Sequence, residues 1–541
     1  MAGYLLSVIT FLPLAGGLIL LLFDERDDVW IRRGALGISA LTFVVSLALL
    51  PGFDAGERGY QFQELHKWMS SPPVSYHLGI DGLSLWLVLL TTFLTPLAVL
   101  CSWKGIHQRV RAFHALLLVL ESAMLGVFVA LDLVLFFLFF EAMLIPMFFI
   151  IGIWGHERRV YASIKFVLFT QAGSILMLVA IVALYNLTGS FDLTVIQAHL
   201  LTDRAPSLAA ERLLFLAFFA AFAIKVPLFP VHTWLPDAHV EAPTAGSVIL
   251  AGVLLKIGTY GLMRFCLPLF PDASRYFAPW VAALAIIGII YGALVAMVQP
   301  NYKKLVAYTS VSHLGFVVLG IFSFTQIGMQ GAVYQMLNHG VSTGGLFLAA
   351  GMLYDRRHTH IIHEFGGLAT PMPIYSSLFL FVCLSSAGLP LLNGFVGEFL
   401  ILNGAFERSA LWGTLAATGV ILSAVYLLWS YQRLIYGPVT LDKNKTLPDA
   451  DPRERFTLAA VCVMALVMGV ASPLFLRRSE TTVSRIRLEM QGNRPYNVGR
   501  PGASPRDVSR ASRAALEGAA VLPGPGLTKH QSTADGKAGA R

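Results

Sequence analysis

The chain has 541 residues, of which 56% are hydrophobic and only 13% charged, a composition typical of proteins that cross a membrane several times. The formal net charge of +8 comes mostly from residues 475–541, which hold 12 Lys/Arg and 5 Asp/Glu. The charge therefore does not indicate a nucleic-acid surface. The sequence has no G-x-G-x-x-G, Walker or C-x-x-C motif, which argues against a dinucleotide, ATP or iron–sulfur site.

Apolar stretches of about 20 residues, the length that an α-helix needs to cross hydrocarbon, recur along the chain. We predict an all-α, polytopic transmembrane bundle with about 14 spans. They lie near 3–23, 30–50, 82–102, 113–131, 133–153, 162–185, 211–229, 245–266, 277–298, 302–323, 331–354, 372–403, 411–435 and 456–474. The first span is expected to be retained, because its charges follow it rather than precede it.

The predicted spans group into an N-terminal three-helix segment, two five-helix units and a final helix. These parts cover 1–112, 113–266, 277–436 and 456–474. The fourth helix of each unit contains a helix-breaking proline, Pro227 or Pro390. The carbonyls that these prolines free, at Ala223 and Ser386, are expected to need water or polar side chains. Because five is odd, the second unit is inverted, and paired broken helices in inverted units are typical of transporters.

Orientation follows from the basic residues between the spans. The odd-numbered connections hold about 17 Lys/Arg and the even-numbered ones about 7, which predicts that the odd connections are cytoplasmic and both termini periplasmic. The segment 475–541 is rich in Ala, Gly, Pro, Ser and Arg, so we predict that it is disordered.

Three charged residues, Glu141, Lys225 and Lys256, lie in the middle of apolar stretches. A charge there costs about 2.5–3.5 kcal/mol on insertion scales and usually faces a partner or a wet path. Burial disfavours the charged form of both Glu141 and Lys225, so a pair between them would satisfy both, and separating them would favour proton release from the lysine. The pair could instead be static and simply order the bundle.

Further titratable residues follow along the chain. Lys256 has no evident partner in the sequence, and Glu398 comes just after the break at Pro390. Of the histidines between Lys225 and Glu398, three lie inside predicted spans or at the break: His232, His313 and His339. Histidine titrates near neutral pH and both donates and accepts protons, which suits a relay, although a single buried histidine is more often a satisfied core residue.

Two weaker features have alternative interpretations. Glu121 lies within the fourth span. It is either a further charge that takes part in coupling or a residue that forms a hydrogen bond between helices. His358, His360 and His363 with Glu364 have a metal-like spacing, but a solvated loop is favoured over a metal site. We therefore predict no metal and no cofactor in this chain. Moving a charge against the membrane potential costs about 2.3 kcal/mol per 100 mV, so the chain must exchange one gradient for another or be driven by a partner.

Four motifs resemble the antiporter-like membrane subunits of respiratory complex I, over roughly residues 75–440. They are Phe-Glu141-Ala-Met-Leu-Ile-Pro, Lys225-Val-Pro-Leu-Phe-Pro-Val-His232-Thr-Trp-Leu-Pro-Asp-Ala-His239, Glu241-Ala-Pro-Thr and Tyr308-Thr-Ser-Val-Ser-His313. The family has three such subunits, and Glu398 at the broken twelfth helix is similar to one of them, whereas the other two usually carry lysine.

The resemblance implies that this chain translocates protons in NADH:quinone oxidoreductase. Glu141 and Lys225 would form the input pair, Lys256 the central carrier and Glu398 the exit-side carrier, with the three histidines along a hydrated axis. NADH, FMN, iron–sulfur clusters and quinone would belong to partner subunits. The other partners implied are the neighbouring antiporter-like subunits and the lipid bilayer, in a bacterial inner membrane.

Three alternatives remain open at this point. The chain could be a subunit of a multisubunit Na⁺/H⁺ antiporter or of a membrane-bound hydrogenase, which share the Glu141 and Lys225 motifs. It could bind quinone itself, which would require a tunnel lined by aromatic and His or Tyr groups. It could also be a passive scaffold, in which case neutralising Glu141 would harm assembly rather than turnover.

Overall fold

The computed structural model describes residues 2–200, 206–439 and 441–491. This part of the chain is mostly helical, as predicted. Among the described residues, nine helices are long and apolar enough to cross a membrane, or ten if one bent pair forms a single span. The larger number of about 14 spans stays a prediction.

The N-terminal segment contains four helices and a hairpin of two strands. Their bounds are α1 (Leu5–Leu20), α2 (Asp28–Leu47), α3 (Leu49–Gly52), β1 (Gln61–Ser70), β2 (Pro73–Ile80) and α4 (Ser84–Ser102). The strands pair antiparallel and were missed by the all-α prediction. Contacts distant in sequence hold them: the Glu64 carboxylate accepts from the N–H of Leu6 at 2.8 Å, and His77 Nδ1 lies 2.5 Å from Asp192 Oδ2.

The first unit is interrupted in several places. Its helices are α5 (Val110–Val129), α6 (Leu133–Ala142), α7 (Leu144–Trp154), α8 (Arg159–Thr188), α9 (Leu193–Leu200), α10 (Leu208–Lys225), α11 (Trp234–Glu241), α12 (Thr244–Ile249), α13 (Leu255–Gly261) and α14 (Leu267–Leu269). Two π-helical turns, Leu250–Leu254 and Leu262–Cys266, join the last three helices. Such turns are rare and frequently occur at functional sites.

The second unit has longer helices. They are α15 (Pro271–Met297), α16 (Tyr302–Phe322), α17 (Gln326–Arg357), α18 (Pro373–Ser386), α19 (Asn393–Arg408) and α20 (Ala410–Ile435). Of these, α16 and α17 are almost entirely buried along the apolar part of their length. They therefore form the centre of this half of the bundle.

Both predicted helix breaks are present. Helix α10 ends at Lys225 and α11 begins at Trp234, while α18 and α19 flank Pro390. The expectation that the Ala223 carbonyl needs water or a side chain is wrong. The N–H of Leu228 donates to it at 2.8 Å, because the chain turns back on itself after the proline.

Three helices, α21 (Asp442–Lys445), α22 (Pro452–Val470) and α23 (Ser472–Gln491), complete the described chain. The disorder predicted from residue 475 is therefore wrong as far as residue 491, and the rest of that predicted tail lies outside the described residues. Helix α23 forms because Phe475, Val483 and Ile486 recur at helical spacing and are buried. It turns 69° away from α22.

An ion-pair cluster fixes α23 to the bundle. Asp81, just after β2, binds Arg264 through both carboxylate oxygens at 2.6 Å, and Arg485 of α23 donates to it at 2.7 Å. Burial alone would raise the pKa of Asp81, but the two guanidinium groups hold that pKa well below its ordinary value. Ionised Asp81 thus stabilises the position of α23 on the bundle.

Candidate functional site

Lys256 and His339 are linked directly in the buried centre of the protein. Lys256 is completely buried, and its Nζ donates to the carbonyl of Ala251 at 2.5 Å and lies 2.6 Å from His339 Nδ1. Ala251 belongs to the first π-helical turn, so the ammonium contacts the backbone at an irregular part of the helix. No partner for Lys256 is evident in the sequence, and α17 supplies one in His339. An ammonium this close to an imidazole nitrogen has the geometry for proton transfer.

His339 is followed by a second imidazole, His313 of α16. The two ring centroids are 6.1 Å apart, and both rings line a cavity of about 10 Å³ together with Gln335, Asn338 and Ser342. A cavity of this size is at the lower limit for holding one water molecule. One water there can bridge the two rings, which are too far apart for a direct hydrogen bond.

Glu398 is the next group along this path. His313 Nδ1 lies 3.0 Å from Glu398 Oε1, and the Gln335 amide donates to the same oxygen at 3.3 Å. On the other side of the ring, His313 Nε2 is 3.4 Å from the Tyr426 hydroxyl. His313 is therefore held between a carboxylate and a phenol, and four of the predicted residues form two contacting pairs, Lys256 with His339 and His313 with Glu398.

The break in the twelfth predicted span makes room for the Glu398 carboxylate. Gly388 adopts φ +79°, and a Cβ at this position would lie 3.1 Å from Glu398 Oε2. Asn393, the first residue of α19, accepts from the Ser385 hydroxyl at 2.6 Å, which fixes the start of the helix that carries Glu398. The sequence indicated the break but not this role of Gly388.

The predicted pair of Glu141 and Lys225 is not in direct contact. Both belong to the first unit and lie within electrostatic range, but in the described part of the chain neither Lys225 Nζ nor Glu141 Oε1 has a hydrogen-bond partner. The ammonium instead lies 5.0 Å from the ring centroid of Phe140 and 5.4 Å from that of Phe166. The structure thus shows the separated arrangement of the two charges, with cation–π contacts to the lysine.

Two other predicted residues lie outside the two contacting pairs. The ring of His232 packs against Phe229 and Tyr291 at 5.7 and 5.3 Å, and its nitrogens have no hydrogen-bond partner among the described residues. Glu121 is fully buried on α5, where Thr95 is a polar neighbour. Neither residue contacts Lys256 or His339 through a hydrogen bond described in the structure.

Sequence reasoning overlooked Lys303 and His239 as members of the buried polar core. His239 stacks on Phe347 with centroids 4.4 Å apart and lies within electrostatic range of both Lys256 and Lys303. Lys303 is buried at the start of α16, where its ammonium donates to the carbonyls of Val240 and Ala242. His239 is part of the quoted Lys225 motif, so its presence there was the available signal.

The histidines with metal-like spacing do not converge. In residues 2–200, 206–439 and 441–491, no three His, Cys, Asp or Glu side chains are placed to hold a metal ion. His360 stacks on Tyr354 at 4.6 Å, and His156 Nδ1 is 3.2 Å from the hydroxyl of the same tyrosine. The described site therefore consists of protonatable side chains.

Two family models match the chain. Residues 130–424 match the transmembrane family described as NADH:quinone oxidoreductase/Mrp antiporter, and residues 60–127 match the amino terminus of NADH-ubiquinone oxidoreductase chain 4. The first match contains all the predicted site residues except Glu121.

Curated relatives agree with the family models. NADH-quinone oxidoreductase subunit M of Rhodobacter capsulatus is 48% identical over 481 residues, covering 86% of this chain and 93% of that protein. NADH-ubiquinone oxidoreductase chain 4 of Marchantia polymorpha is 43% identical over 482 residues, covering 89% and 96%.

Solved structures share the fold. A chain of respiratory complex I from Thermus thermophilus with bound NADH superposes with a TM-score of 0.82 at 34% identity, covering 90% of this chain and 100% of that one. A chain of the Mrp complex from Dietzia sp. has a TM-score of 0.79 at 20% identity, covering 91% and 99%, a likeness of fold alone. The chain therefore belongs to the family of NADH-quinone oxidoreductase subunit M, the antiporter-like type that Glu398 indicated.

Proposed function

We propose that this chain translocates protons as a membrane subunit of NADH:quinone oxidoreductase, through Lys256, His339, His313 and Glu398. The observation that carries the proposal is the succession of two contacting pairs, Lys256 with His339 and His313 with Glu398, whose imidazole rings lie 6.1 Å apart in the middle of an apolar bundle. Ionisable groups are costly there and are typical of proton relays when they contact one another. A structural role would require only isolated, satisfied pairs.

The geometry supports a stepwise transfer. Protonated Lys256 gives a proton to His339 Nδ1, and the lysine becomes neutral while the imidazole becomes positive. His339 then releases a proton from Nε2, which has no hydrogen-bond partner among the described residues, to a water in the cavity beside the two rings. His313 takes up a proton at Nε2, on the Tyr426 side of its ring, and gives the proton on Nδ1 to Glu398 Oε1. After these steps both histidines are neutral again, Lys256 is one proton short and Glu398 holds one more, so the starting state returns when Glu398 releases its proton and Lys256 takes up another.

Lys225 and Glu141 act upstream in this proposal. When they are apart, as in the described state, the ammonium has only aromatic rings beside it, and desolvation favours loss of its proton. When they approach, the carboxylate holds the ammonium charged. A switch between the two arrangements would change the electrostatic potential at Lys256, with Glu121 and His232 as further candidates for coupling.

The driving energy would come from partners. The relatives named above are NADH-quinone oxidoreductase subunits, so we infer that NADH, FMN, iron–sulfur clusters and quinone are bound by other subunits of the same complex. We further propose a bacterial inner membrane, with both chain termini in the periplasm, from the distribution of basic residues.

A Na⁺/H⁺ antiporter subunit is the second candidate, because one matching family model includes Mrp antiporters and the Mrp chain has the same fold. The higher identity to subunit M relatives favours the oxidoreductase. Proton translocation that requires NADH and proceeds equally well without Na⁺ distinguishes the first candidate from the second.

Replacement of the central carrier tests the proposed function. Lys256→Met keeps an unbranched side chain but cannot carry a proton, so NADH-driven proton translocation in sealed membrane vesicles should be lost although the complex assembles. Lys304→Met is the matched control, because this half-buried lysine on α16 forms no ion pair among the described residues. Wild-type translocation in Lys256→Met, or an equal loss in Lys304→Met, would contradict the proposal.

A further inference from the structure

An apolar groove runs along the outside of the bundle, away from the proton chain. It has a volume of about 240 Å³ and is formed by α2, α4, α17, α22 and α23. Leu47, Val467 and Leu474 on its walls are 38%, 42% and 49% exposed. The groove therefore opens to the surroundings of the protein, which for these helices is hydrocarbon.

Among the described residues that line the groove, Arg478 of α23 is the only charged one. The guanidinium donates to the Leu474 carbonyl at 3.1 Å and lies 6.0 Å from the centre of the Trp86 ring. Arg478 forms no ion pair with any carboxylate that the structure describes. Most of its donors are thus available to an anion at the rim of the groove.

The position of this rim corresponds to a membrane surface. Helix α23 is amphipathic, contains four arginines and bends by 69° from the apolar helix α22, as expected for a helix lying in the interface. Trp86 is the third residue of α4 and Phe93 is seven residues deeper. That separation is about 10 Å along a helix, within the roughly 15 Å of one leaflet.

We propose that the groove binds an anionic phospholipid, with one acyl chain between the helices and the phosphate on Arg478. The apolar walls fit a hydrocarbon chain, and an arginine fork recognises phosphate through paired hydrogen bonds. An amphiphile with its anionic group at one end satisfies both features at once. This inference does not depend on the proposed proton path.

The lipid chain would also support the helix that carries His339. Leu337 and Val341, two residues before and after His339, line the groove. Residues two apart on a helix point to nearly opposite sides, so the lipid would pack on the back of α17 while His339 faces Lys256.

Fluorescence of Trp86 tests the site. The full chain in nanodiscs is titrated with brominated phosphatidylglycerol or brominated phosphatidylcholine, and the Trp86 contribution is obtained by difference from Trp86→Phe. Half-maximal quenching should need about five-fold less of the anionic lipid, the ratio that corresponds to the ~1 kcal/mol typical of one arginine at an anionic surface. Arg478→Gln should abolish this preference, and Arg477→Gln, the exposed neighbour outside the groove, should retain it.

Three outcomes would overturn the proposal. Arg478→Gln could prefer the anionic lipid as strongly as the wild type does, or Arg477→Gln could lose this preference as fully as Arg478→Gln. The third outcome is that neither lipid quenches Trp86, as expected if protein covers the groove. Trp86→Phe removes a hydrogen bond to the Phe475 carbonyl and could impair folding. Native mass spectrometry of the wild type, Arg478→Gln and Arg477→Gln gives an independent answer. Retained phosphatidylglycerol should decrease only in Arg478→Gln, and no decrease there would refute the site.

Discussion

Gly388→Ala should disturb the path at Glu398 with a single methyl group. The residue has φ +79° and the new Cβ would lie 3.1 Å from Glu398 Oε2, which is tighter than ordinary contact. Two costs follow. The left-handed backbone costs about 1–2 kcal/mol for a residue with a Cβ, and the carboxylate must shift away from the methyl group, which lengthens its 3.0 Å contact with His313.

The size of the functional effect follows from that hydrogen bond. A hydrogen bond to a charged group contributes about 1.5–3 kcal/mol, so losing half of that energy costs about 1 kcal/mol. This loss slows proton transfer from His313 to Glu398 about five-fold. Gly189→Ala is the matched control, because Gly189 has φ +75° and an added Cβ would meet nothing within 4 Å. It incurs the backbone cost without touching Glu398.

The two variants are compared in NADH-driven proton translocation and in thermal unfolding of the assembled complex. Gly388→Ala should lose about 1 kcal/mol more stability than Gly189→Ala, and only Gly388→Ala should translocate protons about five-fold more slowly. Equal translocation in the two variants would refute the steric reasoning at Glu398.

Two further predictions concern charges elsewhere. Asp81→Asn leaves Arg264 buried without its anion and should destabilise the protein by about 3–5 kcal/mol in denaturant unfolding. Arg485→Gln should cost only about 1.5–3 kcal/mol in the same measurement. Similar losses in the two variants would contradict the central place of Asp81 in the cluster. Because the folded pKa of Asp81 is depressed, the same stabilisation should be present above the ordinary value of 3.8 and be lost as pH falls below it. Glu141→Gln keeps the shape but removes the charge and should suppress NADH-driven quinone reduction and proton uptake in an assembled complex, whereas full activity would assign the residue a structural role.

The sequence predicted well those features that depend on local chemistry. Pro227 and Pro390 each interrupt a helix, because proline lacks an N–H and clashes with the preceding turn wherever it occurs. The central position of Lys256 was evident from its apolar neighbours. Glu398 likewise indicated the subunit type from its place after the break.

Contacts between residues far apart in the sequence could not be predicted from local chemistry. His339 is 83 residues from Lys256, and only the packing of α17 against the π-helical turn brings them together. The strands β1 and β2 were missed because their order depends on contacts such as Glu64 with Leu6. Helix α23 was missed because its basic composition resembles a solvated tail, whereas Asp81 of the folded bundle binds its Arg485.

The most direct test of the proton chain is the translocation of protons by His339→Gln. Glutamine keeps polar atoms beside Lys256 but cannot take up and release a proton near neutral pH. The number of protons translocated per second in NADH-energised vesicles should fall at least ten-fold in the assembled complex, whether or not NADH oxidation falls with it. Wild-type translocation in His339→Gln would show that protons do not pass through this histidine, and would contradict the path from Lys256 to Glu398.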